Sequence, residues 1–179
     1  MEARAVVIAL WVGEKKPDTF SSIIQRILKT NYSHNAFIFE GEVWHGTISD
    51  DPKYDGFCNE PIESALAGCV VRYCRTVTTR WNTSELRGYL QARKGTPYSH
   101  SQNIAAVHPT FFDWPLVAWL FRNGKSKINC SEVLAEICEG GYIEGVGLRL
   151  RFGDLDRVKP TDTFRVIRPG KCAHNHLLT

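Results

Sequence analysis

The longest uninterrupted apolar run near the start of the chain is AVVIALWV at 5–12, closed by Arg4 on one side and Gly13–Glu14 on the other. It predicts a strand with little solvent on either face. In the following residues, 17–30, Phe20, Ile23, Ile24, Ile27 and Leu28 fall at i, i+3, i+4, i+7 and i+8. That is the apolar stripe of an amphipathic helix, with Asp18 or Thr19 as its cap. The period then shortens to two. HNAFIF and EVWHG flank a Glu40–Gly41 pair, the signature of a β-hairpin with a two-residue turn. This turn sets Phe39 opposite Glu42, Ile38 opposite Val43, Ala36 opposite His45 and His34 opposite Thr47. His34, Ala36, Ile38, Val43, His45 and Thr47 then share one face, and the two imidazoles become diagonal neighbours. A slip of one residue would separate them.

Further along, residues 49–61 read as a turn-rich loop, followed by a short IESALAG segment and an alternating strand, CVVRYCRT. Residues 82–95 predict a helix that Asn82 caps, with Glu85 three positions on and Gly95 as its stop. NCSEVLAEICEGG predicts a second helix, 156–169 a loop and a final strand, and 170–179 a loose tail. Between the two helices lies an apolar insertion at about 101–127. There Asp113 caps and Gly124 ends a short helix carrying Leu116, Val117, Leu120 and Phe121 on one face. Its first reading is an extra helix packed on the core. The leftover Phe112 and Trp119 also suit a cleft wall, a partner contact or weak membrane contact through 111–121. The order of elements gives an α+β fold, an antiparallel sheet packed against helices, in a single domain over 1–170 with a flexible tail at 171–179.

Composition narrows the class. The chain has 179 residues, is 43% hydrophobic and 11% aromatic, and so carries enough apolar material for one full core. A net charge of +3, with the two signs mixed along the chain, argues against a nucleic-acid partner. The start, MEARAVVIALWVGEKK, has an acidic second residue and neither the basic opening nor the cleavage site of an export signal. No apolar run approaches the roughly 20 residues of a membrane-spanning helix. A cytoplasmic location is therefore expected. The six cysteines contain no C-x-x-C pair and read as thiols.

One of those thiols stands out. Cys130, Val133, Leu134, Ile137 and Cys138 form the inward stripe of the second helix, with Cys130 first. Unpaired backbone N–H groups and the positive dipole end at a helix start stabilise a thiolate, and an adjacent imidazole does so further. A lone buried cysteine is usually a small hydrophobe, as Cys138 is expected to be. A helix-start cysteine combined with a strand histidine and a second histidine beside it points instead to nucleophilic catalysis. Other clusters carry less. CAHNH at 172–176 packs metal-ligand types closely but has no second pair to complete a zinc site, so no metal or cofactor is expected. His100 and His108 show no recognisable spacing. Glu132 suits a cap or salt bridge, and Asp162 suits a cap or the bracing of a turn.

Five segments, taken in order, resemble the circularly permuted NlpC-like branch of the papain-fold cysteine amidases and peptidases. FSSIIQRILKTNYSHNAFIF is similar to that family's helix leading into a Ser-His strand, and VWHG to the next strand, which bears the third polar group. LQARKGTPYS is similar to its helix and Gly-x-Pro-Tyr turn, NCSEVLAEI to its cysteine helix, and VKPTDTF to its Pro-x-Asp loop. Histidine-before-cysteine order is the permuted arrangement. Some members carry glutamate where His45 stands, and histidine fills that role in others. The resemblance implies a permuted papain-like fold and a Cys130–His34–His45 triad, with no cofactor. Cys130 is the nucleophile, His34 the base and His45 its orienting partner, while Ser33 and Ser131 are substrate-side residues, and Tyr98 either packs by its ring or lines the substrate side with its hydroxyl. The implied reaction is hydrolysis of an amide or peptide bond through a thioester, on a peptide, a peptidoglycan fragment or an acyl-amide. HNAFIFEGEVWH also resembles the strand pair of the related lecithin:retinol acyltransferase family, which makes a thiol acyltransferase or lipase the close alternative. An inactive papain-fold module that binds peptide or lipid is the other. A cell-wall substrate for a chain without an export signal implies a phage particle or another route of delivery.

Overall fold

The computed structural model describes residues 3–15, 21–22, 25–26, 29–47, 51, 53–98, 128–143, 146, 148–152 and 160–172. The insertion at 101–127, with the apolar helix expected there and His108, lies outside these residues. So do His100, the cap candidates Asp18 and Thr19, and the tail beyond Cys172.

The described strands are β1 (Arg4–Glu14), β2 (His34–Phe39), β3 (Glu42–Thr47), β4 (Gly56–Pro61), β5 (Cys69–Asn82), β6 (Tyr142–Ile143), β7 (Leu148–Arg149) and β8 (Gly170–Lys171). They form one antiparallel sheet in the order β4-β3-β2-β1-β5-β6-β7, with β8 also pairing to β5. The helices are α1 (Ile62–Ala65), α2 (Thr83–Arg93), α3 (Cys130–Cys138) and α4 (Pro160–Ile167), and Ser21, Ser22, Gln25 and Arg26 are helical as well. The fold is α+β.

Alternation on β1 divides the interior. Val7, Ala9 and Trp11 point into the main core with Phe37, Phe57, Val77, and Leu86 and Leu90 of α2. Val133, Leu134 and Ile137 of α3 and Ile167 of α4 close that layer. Leu10 and Val12 point the other way, into a smaller cluster with Ala36, Ile38, Val43 and Val71. From Ala9 to Val12 the strand is buried on both faces, which accounts for the unbroken apolar run there, whereas Val6 near its start is exposed.

The hairpin has the register its sequence predicts: Phe39 faces Glu42, Ile38 faces Val43 and Ala36 faces His45. Glu40 and Gly41 both have positive φ, 52° and 80°, as a primed two-residue turn requires. Asn82 caps α2 through a reciprocal box: its side chain accepts from the Glu85 N–H at 2.8 Å, and Glu85 accepts from the Asn82 N–H at 2.9 Å.

Three segments depart from the sequence reading. Part of the expected loop at 49–61 is strand β4, which runs beside β3 with Cys58 opposite His45. Its turn residues lie at the two ends, while Phe57 and Cys58 between them are buried. The expected loop and strand at 156–169 contain α4 instead. Its alternating TFRVI looks extended, but Thr163 and Ile167, one helical turn apart, are both fully buried. Phe164 packs edge-on to Trp11 and stacked on Tyr32, and Pro160 suits the first helical position. Asp162 therefore sits in the first turn of a helix. Finally, Gly170 and Lys171 pair with Cys74 and Tyr73 and so belong to the sheet, not to a tail.

Candidate active site

Helix α3 begins at Cys130 because Asn129 stops the extended chain there. Asn129 has φ −117° and ψ 156°, and its side chain accepts from the Glu132 N–H at 2.8 Å. Glu132 accepts in return from the Asn129 N–H at 3.4 Å. Glu132 is thus a cap, the role its position suggests. Cys130 occupies the first turn, where backbone N–H groups have no intrahelical acceptor.

Four groups surround the thiol. The His34 imidazole, at the start of β2, favours its thiolate by charge and hydrogen bonding. The backbone N–H of Asn35 donates to Sγ at 3.5 Å, and the Tyr98 hydroxyl donates at 3.7 Å. The Ser131 hydroxyl lies 4.0 Å away. Tyr98 reaches the sulfur because it bridges to Ile128, just ahead of the helix, and because its ring lies on Gly46. A Cβ at residue 46 would stand 2.6 Å from that ring, so only glycine leaves room for it.

Cys130 is 5% exposed. Burial alone would push its pKa up. The His34 charge and hydrogen bond, then the Asn35 N–H and Tyr98, reverse this and bring the thiol down to about 7. The groups that favour the thiolate must also overcome the cost of burying it, and the His34 charge is the largest of them. His34 responds in the opposite sense. Burial disfavours its cation, but the Cys130 thiolate and Glu14 outweigh burial and raise its pKa.

His45 stands edge-on to His34, with ring centroids 5.8 Å apart and planes at 77°. Its Nε2 lies 2.9 Å from Glu60 Oε1. Burial and then the positive charge of His34 hold His45 below the usual histidine value, against the opposing pull of Glu60. The neutral ring therefore donates Nε2–H to Glu60. That choice of tautomer leaves Nδ1 as the acceptor. Glu60 is held in turn by the Ser64 hydroxyl on its other oxygen, at 2.9 Å.

Ser131 is 1% exposed, and its hydroxyl donates to Asn35 Oδ1 at 2.9 Å. Thr163 of α4 donates to the same oxygen at 3.0 Å and accepts from Trp11 Nε1 at 3.2 Å. Asn35 Nδ2 donates to the Leu10 carbonyl at 3.3 Å. Of the substrate-side candidates, Tyr98 touches the thiol, whereas Ser131 acts inward, through Asn35. Ser33 is half-buried, and its N–H donates to the Val12 carbonyl at 3.1 Å.

Sequence reasoning missed Glu60, Asn35 and Thr163. The first was hidden by the unrecognised strand β4, on which Glu60 shares a face with Cys58, opposite His45. Asn35 adjoins His34 and was passed over because its side chain points to the other face of the sheet. Thr163 was lost with the unrecognised helix. Also unforeseen is that the ligand-type atoms of His45, Cys58 and Glu60 lie within 4.8 Å of one another. Among the described residues no helix is long and apolar enough to cross a membrane. Comparison with family models, curated proteins and solved structures finds no match to this chain.

Proposed function

We propose that the protein is a cysteine hydrolase, built on a permuted papain-like arrangement, that cleaves an amide or peptide bond through a thioester on Cys130. The observation that carries this reading is the buried Cys130 thiol at the start of α3, with the Asn35 N–H and the Tyr98 hydroxyl on its sulfur and the charge of His34 holding its pKa down. A structural thiol has no use for a matched base, and burial alone would raise its pKa.

The chemistry follows from the contacts. Cys130 Sγ attacks the carbonyl carbon while His34 carries the thiol proton as imidazolium. The developing oxyanion takes the N–H groups at the start of α3. As sulfur bonds to carbon it loses its negative charge, and Tyr98 turns its hydroxyl from sulfur to the oxyanion. The C–N bond breaks as His34 returns its proton to the leaving amine. Water, deprotonated by His34, then attacks the thioester carbonyl, releasing the carboxylic acid and restoring the thiol. The Nδ1 acceptor of neutral His45 stabilises the His34 cation, and Glu60 fixes that tautomer. A peptide, a peptidoglycan fragment or an acyl-amide presents the required bond.

The test is mass spectrometry of the chain quenched with acid after incubation with a cell extract. An acyl adduct on Cys130, absent in His34→Ala, is expected, and its mass names the acyl group. Release to water marks a hydrolase, and release to an added amine or alcohol marks a transferase. If no adduct forms and Cys130 alkylates no faster than the other thiols, the reading fails.

A further inference from the structure

His45 and Glu60 serve the proposed amide cleavage, but Cys58 beside them does not, and the three together form a cluster with a further chemistry. Its three side chains are an imidazole, a thiol and a carboxylate. They project from one face of adjacent strands, because Cys58 pairs directly with His45 and Glu60 lies two residues beyond Cys58. His45 Nε2 and Glu60 Oε1 are 2.9 Å apart, Cys58 Sγ and Glu60 Oε1 are 4.0 Å apart, and all three ligand atoms fall within 4.8 Å. Ligand atoms around tetrahedral zinc, with bonds of about 2.0–2.3 Å, stand roughly 3–4 Å from each other, so modest side-chain shifts bring all three onto one ion. The site also has an outer support, since Ser64 holds the second oxygen of Glu60 at 2.9 Å, as the carboxylates of metal sites are commonly held. Cys58 is buried, and the side chains of His45 and Glu60 retain 12% and 11% exposure, which leaves the ion a way in.

We propose that His45, Cys58 and Glu60 form a three-ligand site for a zinc ion, with the fourth position open, and that zinc bound there inhibits the neighbouring thiol. Binding forms Zn–N, Zn–S and Zn–O bonds; the Cys58 thiol gives up its proton to solvent, and the proton of His45 passes from Nε2 to Nδ1, so the ring stays neutral. The His45–Glu60 hydrogen bond is lost, the negative charge of Glu60 is neutralised, and Nδ1, now protonated, no longer offers the His34 cation an acceptor. The inhibition rests on the proposed Cys130–His34 chemistry, whereas the binding does not.

The experiment titrates the full chain with Co²⁺ as a spectroscopic stand-in for Zn²⁺. A thiolate-to-cobalt charge-transfer band and intense tetrahedral d–d bands are expected at one equivalent. They should persist in Cys130→Ala and vanish in Cys58→Ser. Zn²⁺ should slow iodoacetamide alkylation of Cys130 at least about tenfold in the wild type and leave it unchanged in Cys58→Ser, in line with the effect sizes of metal-site changes. Should Cys58→Ser not fold, Glu60→Gln in the Cys130→Ala chain replaces it: the thiolate band remains while affinity falls at least about tenfold. A band kept by Cys58→Ser or lost in Cys130→Ala overturns the site, as does the absence of any band. A band that passes both variants while Cys130 alkylates at its metal-free rate overturns the inhibition. An intact cobalt spectrum in a chain that never forms an acyl adduct would remove the hydrolase reading and leave the metal site standing.

Discussion

Helix α3 carries a buried thiol at each end, and the two have been given opposite chemistry. Cys130, at the N-terminus, faces an imidazole, a backbone N–H and a phenol, and its pKa falls to about 7. Cys138, at the C-terminus, is fully buried, and burial alone drives its pKa far above the ordinary thiol range. The residue type, the helix and the degree of enclosure are nearly the same, so burial does not decide reactivity. What differs is the supply of hydrogen-bond donors and positive charge, together with the helix end, which offers N–H groups at Cys130 and carbonyl groups at Cys138. Both cysteines lie on the inward stripe. Sequence periodicity sees them as equals.

The largest test of the comparison removes each sulfur in turn. Cys130→Ala should abolish acyl-adduct formation, a loss of at least about 10⁴-fold in turnover by analogy with the removal of other covalent nucleophiles. Cys138→Ala should leave adduct formation within about twofold and instead lower stability by about 1 kcal/mol, as deleting a small buried group does. Intact-mass spectrometry reads the first effect, and a denaturant melt reads the second. Equal losses of activity in the two variants would erase the distinction between the helix ends.

The next test takes away the charge. In the wild type, Cys130 alkylation should rise with pH through a midpoint near 7, because the reactive thiolate is the form populated above that value. In His34→Ala the midpoint should move up toward the ordinary thiol value of about 8.5 or beyond. Near pH 7 the thiolate fraction then falls from about one half to a few per cent or less, partly offset by the greater intrinsic nucleophilicity of a more basic thiolate. A net slowing of roughly three- to fivefold at pH 7 is expected, and the gap should close near about pH 8 and reverse above it. Cys138 should remain unlabelled across the whole range. An unmoved midpoint would mean that the imidazole does not set the Cys130 pKa.

Much of the site could be read from the chain because its governing signals are local. The Glu40–Gly41 turn fixes the hairpin register, and the register alone puts His34 and His45 on one face. Asn129 and Glu132 announce where α3 begins, and so place Cys130 in its first turn. The missing parts depend on contacts distant in sequence. Glu60 meets His45 only because the short strand between Gly56 and Pro61 docks on β3, and nothing in SDDPKYDGFCNEP has the length or alternation to announce it. The helix at 160–167 likewise follows from where Thr163, Phe164 and Ile167 find burial, against a local pattern that reads as extended. Asn35 lies next to His34, yet its importance arises from two partners, Ser131 and Thr163, far along the chain.

The smallest test asks how much the helix start contributes apart from the imidazole. Helices α2 and α3 open with the same device, a reciprocal box between asparagine and glutamate, Asn82 with Glu85 and Asn129 with Glu132. Only α3 has a thiol at its first position. Asn82→Ala and Asn129→Ala should each cost about 1 kcal/mol of stability, with Asn129, the buried cap, at the upper end. Only Asn129→Ala should also move the Cys130 alkylation midpoint. The shift should be upward and under about one pH unit, because fraying the first turn dilutes a helix-end effect worth at most about 2 kcal/mol and leaves the larger imidazole contribution in place. A midpoint shift as large as that of His34→Ala would mean the helix start, and not the imidazole, holds the thiolate. No shift at all would mean that His34, Asn35 and Tyr98 suffice, and that the position of Cys130 on its helix matters for aim rather than for charge.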